Sequence, residues 1–70
     1  MKEKTIGNFC YRSVNPNQID VYKESSEESE LMAIFVMLSG KINMQIDQSN
    51  PDYIEILTNA RAIFNGTIQL

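Results

Sequence analysis

The feature that most constrains this chain is an unbroken run of eight apolar residues, LMAIFVML, at positions 31–38. The run is far short of the ~20 residues that span a bilayer, so it must be covered by protein. A crowd of serines and acids, SSEESE at 25–30, precedes it, and Ser39-Gly40 stops it. Beyond the break Ile42, Met44 and Ile46 alternate with Asn43 and Gln45.

A short apolar run does not reveal by its period whether it is helix or strand, so its flanks decide. Ser25 followed by Glu28 matches a capping box, in which the serine oxygen accepts from an amide of the first turn and the glutamate reaches back. The acids fall where the helix dipole is positive. Leu, Met and Ala are helix formers. These signals predict a helix over residues 27–38, with Gly40 near its C-terminal cap. The rival is a strand: Ile34, Phe35 and Val36 favour strands, and Ser39-Gly40 would then close a hairpin onto residues 41–47. The start signals weigh toward the helix.

The flanking segments are easier to read. Residues 5–14, TIGNFCYRSV, are aromatic and β-branched and read as a strand with Gly7 as a bulge. Asn15-Pro16-Asn17 is a turn. Residues 18–23, QIDVYK, alternate and form a second strand, pairing with the first through a loop longer than the tightest type. Residues 41–47, KINMQID, alternate as a third strand. Asn50-Pro51-Asp52 opens a helix with Tyr53, Ile56, Leu57, Ala60, Ile63 and Phe64 on one face, and Asn65-Gly66 ends it. The last four residues, TIQL, form a short edge strand or trail away. The expected fold is therefore α+β, a single small two-layer sandwich over residues 1–70. Its order is β-β-α-β-α with a C-terminal strand as an option. The pattern of residues 31–64 (LMAIFVML, then KINMQID, then PDYIEILTNARAIF) resembles the last half of the HPr-type phosphocarrier fold. That resemblance implies helix-strand-helix and carries no activity, because no histidine exists to be phosphorylated.

Composition narrows function further. At 70 residues, a chain buries only about 60% of its unfolded surface and gains from outside support. One cysteine forbids an internal disulfide, and the absence of histidine removes histidine metal sites and bases. No signal-peptide core is visible, and a lone cysteine suits a reducing cytoplasm. Net charge −3 opposes binding to a phosphate backbone. Cys10 lacks a histidine partner and reads as a small apolar strand residue. Asp20, Asp47, Asp52 and Glu55 do not match a cation-binding loop. No catalytic motif is present, so an enzyme, a cofactor and a small-molecule substrate are not expected.

The apolar run is the strongest functional lead. As a helix it would be apolar on every side, and the side turned from the sheet would mark a protein contact. The expected function is a cytoplasmic interaction module acting as regulator, inhibitor or adaptor. Met32, Phe35 and Val36 would dock a protein partner or a second copy in a homodimer, inside an acidic rim of Glu27, Glu28 and Glu30. The alternative is single-stranded nucleic-acid binding by the N-terminal hairpin, with Lys4 and Arg12 as cations and Phe9 and Tyr11 as stacking rings. The acidic block opposes it. No membrane association is expected.

Overall fold

In the computed structural model, which describes residues 2–24 and 29–70, period-two alternation governs most of the chain. The elements are β1 (Lys2–Ile6), β2 (Phe9–Asn15), β3 (Gln18–Glu24), β4 (Ser29–Leu38), β5 (Lys41–Ile46) and α1 (Tyr53–Phe64). The five strands form one antiparallel meander in sequence order, with β1 and β5 at the edges. The helix lies across one face.

This overturns the expected β-β-α-β-α order. The apolar run forms β4, not a helix, and the hairpin closed by Ser39-Gly40 is the arrangement adopted. Leu38 pairs with Lys41, so the turn has two residues, with Ser39 at φ 52° and Gly40 at φ 77°. Two consecutive positive φ values give the turn whose twist matches that of antiparallel strands. Once the hairpin closes, Ile34, Phe35 and Val36 lie in a strand with neighbours on both sides, β3 and β5. Pairing on both edges and burial of alternate side chains outweigh the local helix-start signals. Ser25 and Glu28, which carried those signals, lie outside the described residues. The helix-strand-helix implied by the phosphocarrier resemblance falls with them.

The first expected strand is also two strands. Ile6 pairs with Phe9, and Gly7, at φ 62°, sits in a two-residue turn where a bulge was expected. The β2–β3 hairpin is present as expected, but its loop is short: Asn15 pairs with Gln18 across Pro16-Asn17. Asn15 Oδ1 accepts from the Asn17 N–H at 2.9 Å and shapes that turn. The terminal residues 67–70 add no strand; Leu70 packs against the core instead.

The register sorts the side chains into two faces. Phe9 and Tyr11 on β2, Ile19 and Val21 on β3, and Ala33 and Phe35 on β4 lie on the helix side and are buried. The register skips Met32, and this bulge lets Met32 and Ala33 both serve the core. Ile42, Met44 and Ile46 extend the same face on β5. The expected helix face covers them. Ile56, Leu57 and Ala60 are buried, and Tyr53, Ile63 and Phe64 pack around their edge. Asp52 occupies the N-cap position without a side-chain cap bond. Asn50 Oδ1 accepts from the Asp52 N–H at 2.8 Å, so Asn50 shapes the turn before the helix. Gly66, at φ 86°, closes its C-terminal end.

Candidate functional site: the uncovered face of the sheet

The opposite face has no covering element among the described residues. Its side chains follow from the register: Glu3 and Thr5 on β1, Cys10 and Arg12 on β2, Gln18, Asp20 and Tyr22 on β3. On β4 they are Leu31, Ile34, Val36 and Leu38, and on β5 Lys41, Asn43 and Gln45. The face thus divides into a polar half on β1–β3 and an apolar stripe along β4.

The stripe exists because an apolar run in a strand must place alternate residues on both faces. Ala33, Phe35 and Met37 take the helix side, which leaves Ile34, Val36 and Leu38 on the other. Ile34 and Val36 are half-buried by their neighbours, and Leu38 and Leu31 are 56% and 48% exposed. Ile34, Val36, Leu38, Asn43, Met44 and Gln45 line a shallow depression of about 450 Å³. Its lining holds no ionisable group, so it suits an apolar side chain and two side-chain amides more than a charged ligand.

The polar half is internally organised. Arg12 Nε donates to Glu3 Oε2 at 2.7 Å, between residues directly opposed across β1 and β2. The Arg12 hydrogen bond and charge hold the Glu3 carboxyl below its usual range, so the pair stays ionised. The Arg12 guanidinium also lies 4.7 Å over the Tyr22 ring. Cys10 is 2% exposed beneath this layer, and its thiol donates to Glu3 Oε2 at 3.7 Å. A thiol so placed is shielded from solvent nucleophilic chemistry, as the strand-residue reading expects. Gln18 Nε2 donates to Asp20 Oδ1 at 2.9 Å. Among the described residues, no group of three or more acids or cysteines could hold a metal ion. A second cleft of about 310 Å³, lined by Ile19, Ile63, Phe64 and Leu70 with Lys2 and Ser13, lies beside the C-terminal residues and lacks paired catalytic groups.

The structure redistributes the expected site residues. Phe35 is fully buried under α1 and cannot dock a partner. Met32 is half-buried against the core, Val36 lies on the uncovered stripe, and Glu30, opposite Lys23, is exposed on the helix side of β4 and so does not border the stripe. Glu27 and Glu28 lie outside the described residues. Of the alternative set, Phe9 and Tyr11 are 1% and 0% exposed. Core rings at that depth have no face on which a base can stack. Lys4 and Arg12 stand on opposite faces of the sheet, because Lys4 is paired with Tyr11 on the helix side and Arg12 with Glu3 on the other. Ile34, Leu38, Asn43 and Gln45 were missed. Period two over residues 31–38 gives Ile34 and Leu38, and the polar row of the alternation over residues 41–47 gives Asn43 and Gln45.

Comparison with known proteins returns no matching family model, curated protein or solved structure. The functional reading therefore rests on the geometry of this face. No helix among the described residues is long and apolar enough to cross a membrane.

Proposed function

We propose that the chain is a non-enzymatic protein-interaction module that docks a protein partner on the uncovered sheet face. The docking element is the β4 stripe of Leu31, Ile34, Val36 and Leu38, with the Asn43 and Gln45 amides beside it. The observation that carries this reading is the stripe itself, an apolar row that the protein's own helix leaves uncovered. The partner that fits is a protein presenting an apolar patch bordered by basic residues. Asp20 lies on this face, opposite Ile34, and the stripe begins at Leu31, directly after the acidic sequence of residues 27–30. An acidic border of this kind speeds encounter with a basic partner and selects against acidic ones.

The test is affinity capture with a paired variant. Val36→Lys puts a charge in the stripe while leaving the helix-side core untouched. The expected result is a stoichiometric, salt-sensitive partner held by the wild type and lost by Val36→Lys, with both proteins melting at similar temperatures. A partner held equally by the well-folded variant would overturn the reading.

A further inference from the structure

The two edges of the sheet are unequally protected. Edge strands expose unpaired backbone groups, and natural sheets blunt them with charges, prolines or bulges. β1 carries Lys2, Glu3 and Lys4 within five exposed or half-exposed residues. β5 pairs with β4 in a continuous register from Lys41 to Ile46, with no bulge and no proline, and its only charge is Lys41 at its first position. No strand among the described residues pairs with its outer edge.

We infer that this edge binds a second copy of the chain, β5 against β5 in antiparallel register about a twofold axis at Met44, joining two meanders into one continuous sheet. The argument is the self-complementarity of KINMQID. Residues opposed across an antiparallel pair share a face of the sheet, so opposed positions must have the same pleat parity. With Met44 opposite its own copy, Ile42 falls opposite Ile46 and Asn43 opposite Gln45. Lys41 falls opposite Asp47, the first residue beyond the strand. Each of these pairings occurs twice. Moving the axis by one residue in either direction puts Lys41 opposite Gln45 or Ser49 and breaks the charge match.

The surroundings suit this register. Ile42, Met44 and Ile46 are half-buried, so pairing covers apolar surface that α1 leaves partly open. Tyr53 Oη donates to Met44 Sδ at 3.8 Å, which places the start of α1 beside the axis. Both helices then lie on one face of the joined sheet and both β4 stripes on the other. Lys41 and Asp47 are both exposed. Asp47 Oδ1 accepts from the Ser49 N–H and Oγ–H at 2.9 and 2.6 Å, which fixes the carboxylate and keeps it ionised.

A charge-swap experiment tests the register. Sedimentation equilibrium over a dilution series should find the wild type dimeric. Lys41→Glu alone and Asp47→Lys alone each place like charges opposite one another twice, and each should weaken the dimer about tenfold. The double variant Lys41→Glu/Asp47→Lys should restore it. An equimolar mixture of the two single variants should form a heterodimer, because both opposed pairs are then of opposite sign. A wild type monomeric across the series would overturn the inference. So would single variants that dimerise as well as the wild type, and so would dimerisation abolished by Val36→Lys yet untouched by the charge swaps. That last result would assign the second copy to the uncovered face.

Discussion

At the scale of single residues, Tyr11 joins packing to polarity. Its ring is fully buried, and its hydroxyl accepts from Asn59 Nδ2 at 3.0 Å, linking β2 to α1. Tyr11→Phe keeps the ring and loses the bond, and should cost about 1 kcal/mol in urea denaturation. Burial pushes the Tyr11 phenol above its ordinary value, and the nearby Glu55 charge adds to this. The unfolded chain therefore releases this proton at lower pH than the folded one. The stabilisation is fully present below about pH 10, the unfolded value, and declines as pH rises through the folded value. Tyr11→Phe should flatten that alkaline decline, measured as midpoint against pH. Phe35 makes the contrasting case. A carboxylate at a fully buried position between the sheet and the helix has no water or partner, so Phe35→Asp should leave the chain unfolded. Phe35→Ala alone should cost about 3–5 kcal/mol, comparable with the whole stability of many small domains. Circular dichroism distinguishes this from loss of a surface contact.

At the scale of elements, β4 is decided by its closing turn. Gly40 has no atom near the position a Cβ would take, so Gly40→Ala meets no steric clash. Its cost is the left-handed backbone alone, about 1 kcal/mol. Ser39 holds a positive φ without being glycine. Asn tolerates that region better, and Asn-Gly is the favoured pair for this turn. Ser39→Asn should therefore raise the denaturation midpoint, and Gly40→Ala should lower it. The same element explains how the site was misread. The capping-box pattern at Ser25 and Glu28 is local, whereas the strand is stabilised by partners at positions 18–23 and 41–46 that a local reading does not weigh. The α1 face was legible because one amphipathic helix needs only one apolar surface beneath it, and its period is written within twelve residues.

At the scale of the whole molecule, one helix covers one face of a five-stranded sheet, and the described residues hold no second helix to cover the other. The uncovered β4 stripe and the open β5 edge are separate consequences of that arithmetic. They predict separable phenotypes. Val36→Lys should abolish partner capture and leave the mass in solution unchanged. Lys41→Glu should change the mass and leave capture on the stripe intact. Measuring both quantities on both variants checks the two surfaces against each other.

What the sequence determined by itself had a short-range cause, although the tight turn at Gly7 that splits β1 from β2 was read as a bulge. The β2–β3 hairpin, the alternation of residues 41–46, the face and end of α1, and the lack of histidine or paired cysteines all lie within a few adjacent positions. Tertiary structure alone decided the state of residues 31–38. An eight-residue apolar run satisfies helix and strand equally well in isolation, and the choice depends on which neighbours complete its hydrogen bonds. Placed between β3 and β5, the run splits into a buried row ending the question of Phe35 and an open row containing Ile34, Val36 and Leu38. The candidate docking surface is that second row, created when period-two geometry divides a uniformly apolar segment between two faces of which only one is covered.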